Sequence, residues 1–157
     1  MKARPDRGTY ALILALPSPH TLTIGKLGRF SFPPGYYLYA GSALGPGGLA
    51  ARLARHDRID KKQHWHIDYL RSVSRLEQVW TWASKEPAEC QWAAAALHLP
   101  GAGLPAPRFG ASDCRCPAHL VHLPVRPSLE AFSQALKQAG YAASNPRIRK
   151  MEYSDAR

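Results

Sequence analysis

Acidic side chains are scarce in this chain. Asp and Glu number 11 against 21 Lys and Arg, for a formal net charge of +10. That balance favours a polyanionic partner without naming one. Cysteine is also scarce: Cys90, Cys114 and Cys116 are three, an odd number. They cannot all pair within one chain, which argues against a secreted disulfide framework. A bridge between Cys114 and Cys116, two residues apart, strains most backbones. No apolar run approaches the ~20 residues that span a bilayer, so no membrane partner is expected. Tyr10 to Leu16, behind a basic N-terminus, imitates an export signal. It is short, however, and Pro17-Ser18-Pro19-His20 follows without a convincing cleavage site, so it reads as a strand. The expected compartment is a reducing cytoplasm. No internal repeat and no domain boundary is visible.

What is present is enough for one folded domain. Of 157 residues, 45% are hydrophobic and 10% aromatic, which excludes wholesale disorder. A chain of this length buries roughly 70% of its extended surface. Thr9 to Leu16 is a candidate buried strand ended by prolines. Thr21 to Ile24, Arg29 to Phe32 and Tyr36 to Ala40 follow, separated by Gly and Pro turns. Together they predict an antiparallel meander of three or four strands. Gly41 to Gly48 is a loop with four glycines. Leu49 to His56 predicts a helix with Leu49 and Leu53 on one face and Arg52, Arg55 and His56 elsewhere. His64 to Val73 predicts a second helix. Leu76 to Ala83 alternates as a strand, with Leu76, Gln78, Trp80 and Trp82 facing one way. Pro87 opens a third helix running to about Leu99. His119 to Val125 predicts a strand, and Ser128 caps a last helix stopped by Gly140. The basic tail from Asn145 reads as loose. The tryptophans read mainly as core, with one or two free to stack on bases. The expected class is α/β of the α+β type: a small, mainly antiparallel sheet flanked by helices.

Gly8-Thr9-Tyr10 begins the first strand, Tyr39-Ala40-Gly41 ends a later one, and Arg52-x-x-x-His56 lies on the next helix. Glu89 sits in the first turn of a later helix. This order resembles the GIY-YIG nuclease superfamily. The runs GTYALIL, GYYLYAGSALGPGGLAARLARH, HWHIDYL, AEC and FGASDCRCPAHL are similar to its branch known as domain of unknown function family 123. The resemblance covers about residues 8–125. It implies a nuclease-like domain over 8–125; beyond it, the residues themselves read as a helix packed on the domain over 126–141 and a basic, flexible tail over 142–157. The resemblance implies an endonuclease-like reaction on nucleic acid, expected to be DNA in repair or recombination. Tyr10, Tyr39, Arg52, His56 and Glu89 are then the candidate catalytic residues, and Glu89 the ligand of Mg²⁺ or Mn²⁺. Ser42, Gly47, Gly48, Arg55, Lys61, Lys62, His64 and His66 are candidates for contact with nucleic acid. Two departures stand out. Ser42 follows Gly41 where some catalytic members carry lysine, and the asparagine often used after the glutamate helix is missing, Asn145 being the only one.

The chemistry is consistent with those residue types. Phosphodiester hydrolysis needs an activated water and stabilised charge on the phosphoryl oxygens. Mg²⁺ keeps several waters around one or two carboxylates. Arginine offers a permanently charged, planar fork. A free phenol has a pKa near 10, so a tyrosine base needs a neighbouring cation or metal. Each residue also has a plainer role: strand tyrosines pack, Arg52 and Arg55 solvate a helix face, and Glu89 complements a helix dipole. Cys114-x-Cys116-x-x-His119 could offer three zinc ligands, with His64 or His66 as a fourth. The spacing is not that of a standard finger, so zinc is not expected and a tight turn with partly buried thiols is. A third option puts Asp113 and His119 in the nuclease site. The alternatives to an enzyme are a silent nucleic-acid-binding module and a zinc-stabilised protein adaptor.

Overall fold

The computed structural model describes residues 6–112, 114–141 and 148–153. Its elements in chain order are β1 (Gly8–Leu16), β2 (His20–Ile24), β3 (Gly28–Phe32), β4 (Gly35–Ala43), α1 (Gly48–Asp57), α2 (His66–Arg71), β5 (Arg75–Ala83), α3 (Glu89–Ala96), β6 (Leu120–Leu123), α4 (Leu129–Gln138) and β7 (Arg149–Glu152). Five strands form one antiparallel sheet in the order β6-β4-β1-β5-β7, and β2 and β3 form a separate two-stranded sheet. The fold is therefore the expected α+β type. Among the described residues no helix is long and apolar enough to cross a membrane.

The expected meander is corrected. β1 pairs with β4 and β5, so the hairpin between β1 and β4 is excluded from that sheet. Every residue of β1 is buried, as a central strand covered on both faces requires. The β2–β3 hairpin instead covers one face through Ile24 and Phe32, and Phe32 meets Tyr37 and Phe109 edge-on. The expected one-faced alternation of β5 is also corrected. The register against β1 shifts between Ile13 and Leu14, where a bulge takes up one residue. Leu76 consequently packs in the same cluster as Tyr10 and Leu12, whereas Trp80 packs on the opposite face.

That opposite face is the apolar one. α3 and α4 close over Ala11, Ile13, Leu38 and Ala40, and Phe132 of α4 rests on Trp80 and Trp92 at ring separations of 5.2 Å. Each large side chain fully buried there contributes about 1.5–3 kcal/mol. Ser128 caps α4, accepting the Ala131 N–H at 3.1 Å, as read from the sequence. α3 starts at Glu89 rather than Pro87 and ends at Ala96. The tail expected to be loose supplies an edge strand over Arg149–Glu152, and Gln78 donates to Glu152 at 2.8 Å. Its sequence, Arg-Lys-Met-Glu, has little intrinsic strand preference, so pairing with β5 decides it. The remainder of that tail lies outside the described residues.

Candidate functional site

The opposite face of the sheet carries polar groups as well as core. Tyr10 at the start of β1 stands across from Gly41 at the end of β4. The Tyr10 ring lies over Gly41 so closely that a Cβ there would strike the phenol, which makes glycine a packing requirement. On α1, Leu49, Leu53 and His56 share the buried stripe. This corrects the expected placement of His56 off the Leu49–Leu53 face: 49, 53 and 56 recur at helical spacing. His56 is fully buried behind Tyr10, and its Nε2 lies 2.7 Å from the Tyr10 hydroxyl. Its Nδ1 has no partner among the described residues. Burial, with nearby Lys61, pushes the imidazole down to about 3, so it is neutral. Burial likewise pushes Tyr10 up to about 12, against the pull of Arg52. Tyr39, packed edge-on to His56 and Phe109, is raised further by burial.

Glu89 arrives from the far layer. Thr9 Oγ1 accepts the Ala88 N–H at 3.0 Å and lies 3.4 Å from Ser42 Oγ. Ser42 Oγ in turn donates to the Glu89 carboxylate. This chain of groups holds the first turn of α3 against the ends of β1 and β4. Arg52 Nη1 donates to the Ser42 carbonyl at 3.0 Å, and its guanidinium lies 4.5 Å from the Trp65 ring centre. Tyr10, Tyr39, Gly41, Ser42, Arg52, Trp65 and Glu89 thus line one open cleft of about 430 Å³. His64, His66, Gly110, Ser112, Cys114 and His119 complete its wall. His66 Nδ1 accepts the Gly110 N–H at 2.8 Å, tying α2 to the loop before β6. Burial lowers the pKa of His66 and of His119.

Several sequence candidates stand elsewhere. Gly47, with φ 84°, and Gly48 form the N-terminus of α1 and do not line the cleft. Arg55 donates both Nη atoms to Asp68, at 2.8 and 2.9 Å, and stacks 4.1 Å from the Trp65 ring centre. Lys61 lies 3.6 Å from the same carboxylate and donates to the Arg55 carbonyl. Lys62 is exposed beside them. Asp113 lies outside the described residues.

Three supporting residues escaped the sequence reading. Asp68 accepts the N–H groups of His64 and Trp65, each at 2.8 Å, and so sets the start of α2 later than predicted. Burial opposes its charge, but Arg55 and the two N–H groups outweigh it and hold the carboxyl down at about 2. Arg71, buried, donates to the carbonyls of His56 at 2.9 Å and Asp57 at 3.2 Å, which the end of α1 leaves without helical partners. Thr9 links β1 to α3. An acid three residues into a helix hints at Asp68. Arg71 also donates to the nearby Ser74 carbonyl at 2.9 Å, but nothing local reveals its reach to the end of α1.

The cysteines also differ from expectation. Cys90 pairs with Cys116 as a disulfide, and Cys114 is free. Folding brings α3 against the loop before β6, a proximity that spacing could not show. Cys90, Cys114, Cys116 and His119 form one group whose ligand atoms all lie within 4.8 Å of one another, able to hold a metal ion. Its fourth member is Cys90, not His64 or His66. No curated protein and no solved structure matches the chain. A family model described as a domain of unknown function, DUF123, matches residues 9–141, and the chain belongs to that family.

Proposed function

We propose that the chain is a metal-dependent endonuclease of GIY-YIG type, hydrolysing nucleic-acid phosphodiesters, with DNA in repair or recombination as its substrate. The convergence of Tyr10, Tyr39, Arg52 and Glu89, from four separate elements, on one cleft supports this reading. The donor set fits a hard divalent ion: one carboxylate, an adjacent hydroxyl and room for retained water. Glu89 would hold Mg²⁺ or Mn²⁺, which supplies charge neutralisation on the phosphoryl oxygens and a more acidic water. Arg52 turns its remaining N–H groups to the non-bridging oxygens. Tyr10 is the better placed of the two phenols, because His56 Nε2 can accept its proton. A water proton passes to the Tyr10 oxygen as the phenol proton passes to His56; the hydroxide attacks phosphorus, the bond to the leaving oxygen breaks, and that oxygen takes a proton from solvent water, to which His56 returns its own. Tyr39 packs against His56 and bounds the cleft beside Tyr10.

One observation favours a second reading, a nucleic-acid-binding module without turnover. Burial holds Tyr10 at about 12 and His56 at about 3, which makes both poor carriers of a proton. Nicking of supercoiled and branched DNA with Mg²⁺ or Mn²⁺, beside fluorescence polarisation for binding, separates the two. Cleavage lost in Arg52→Ala and Glu89→Gln with binding retained supports the enzyme. Metal-independent silence on every substrate, with binding intact, supports the module. In either case log affinity falls against log salt with a slope of roughly −0.9 per phosphate contacted.

A further inference from the structure

We infer that Cys90, Cys114, Cys116 and His119 are the four ligands of a structural zinc ion that fastens the first turn of α3 to the loop before β6. The geometry is close to that of an ion-centred tetrahedron. His119 Nε2 lies 3.1 Å from Cys116 Sγ, 3.2 Å from Cys114 Sγ and 3.5 Å from Cys90 Sγ, and Cys114 and Cys116 are 3.2 Å apart. Zn–S bonds of about 2.3 Å and Zn–N bonds of about 2.0–2.1 Å at tetrahedral angles put ligand atoms roughly 3.6–3.8 Å apart. Small outward movements therefore admit the ion, apart from the Cys90–Cys116 pair, which must first separate.

The supporting loop is built to present the ligands. Arg108 has φ 67°, a left-handed conformation rare for a side chain of its size. From there its guanidinium donates to the carbonyls of Ala111 and Cys116 at 2.5 Å and of Cys114 at 2.6 Å. The His119 N–H donates to the Phe109 carbonyl at 2.7 Å, and the Ala40 N–H to the His119 carbonyl at 3.0 Å. Three carbonyls drawn to one cation fold the segment back on itself, with the sulfurs of Cys114 and Cys116 both turned toward His119. Four protein ligands fill the coordination shell, which is the arrangement of a structural rather than a catalytic ion.

The disulfide and the ion are alternatives, because a bonded sulfur has no thiolate to give. Two molecules of a small thiol reduce the Cys90–Cys116 bond, giving two cysteine thiols and one small-molecule disulfide. Three thiols then lose three protons as they ligate the ion, and His119 binds neutral through Nε2.

Metal analysis of the full chain purified under a thiol reductant tests this, together with titration of the reduced, chelator-stripped chain with Co²⁺. The expected results are one zinc per chain and tetrahedral Co²⁺ bands with thiolate charge transfer, displaced by zinc. Cys114→Ser and His119→Ala weaken Co²⁺ binding at least tenfold, while Arg115→Ala on the same loop leaves it unchanged. The wild-type Co²⁺ titration requires no variant to fold. A reduced chain with three titratable thiols and no stoichiometric metal overturns the inference. So does iron in place of zinc, or a Co²⁺ spectrum indifferent to Cys114→Ser. None of these readouts involves DNA hydrolysis.

Discussion

Asp68 and Glu89 both act on the Tyr10 phenol, yet their surroundings are opposite. Asp68 has a fully buried side chain and receives a bidentate arginine, a lysine and two backbone N–H groups. Nothing is left for a ligand to take. Glu89 lines the open cleft and, among the described residues, receives one hydroxyl, from Ser42. The first carboxylate spends its charge on assembling the wall that holds Trp65. The second keeps most of its acceptor capacity for something that enters. A saturated buried ion is a structural part, and an under-coordinated acid in a cleft is a candidate for chemistry.

Exchanging the two acids for their amides gives the strongest test of that contrast. Asp68→Asn leaves Arg55 and Lys61 without their counter-ion and costs about 3 kcal/mol, a fall in Tm of roughly 6–12 °C for a chain of this size, measured by calorimetry. Glu89→Gln moves Tm little and lowers metal-dependent cleavage about a hundredfold, measured on plasmid. Equal effects of both on stability would erase the distinction.

Acid unfolding sharpens it next. Asp68 titrates at about 2 in the fold against an ordinary 3.8. A depressed carboxyl contributes stability that is complete above the ordinary value and lost as pH falls through the folded one. Denaturant midpoints should therefore drop between about pH 4 and pH 2 in the wild type, and the part due to this residue should vanish in Asp68→Asn.

Smaller effects probe the scaffold. Thr9→Val removes the acceptor for the Ala88 N–H and costs about 1 kcal/mol. Because Thr9 also adjoins Ser42, cleavage should fall by more than the stability loss explains, seen by comparing kcat with the denaturant midpoint. Ser128→Ala, on the helix farther from the cleft, costs about 1 kcal/mol and leaves cleavage unchanged.

Much of the fold was legible locally. The uninterrupted apolar run of β1, the Gly-rich break before α1 and the serine cap of α4 each carry their own physics. The candidate site was legible through the order of Tyr10, Tyr39, Arg52 and Glu89 along recognisable strands and helices. What escaped was long-range. The hairpin left the main sheet because β1 had both edges taken. Arg149–Glu152 became a strand through a partner some seventy residues earlier. His56 turned inward because of helical phase, and Arg55 and Lys61 were taken up by Asp68 on a neighbouring helix.

By itself the sequence determined the strongly basic balance, the α+β class and the family, since charge, periodicity and motif order are properties of a string. Tertiary structure alone decided which acid is saturated and which is open, which histidine backs Tyr10, and that Cys90 joins Cys114, Cys116 and His119. Those outcomes depend on distances between segments far apart in the chain, and only the packing of one layer on another sets such distances.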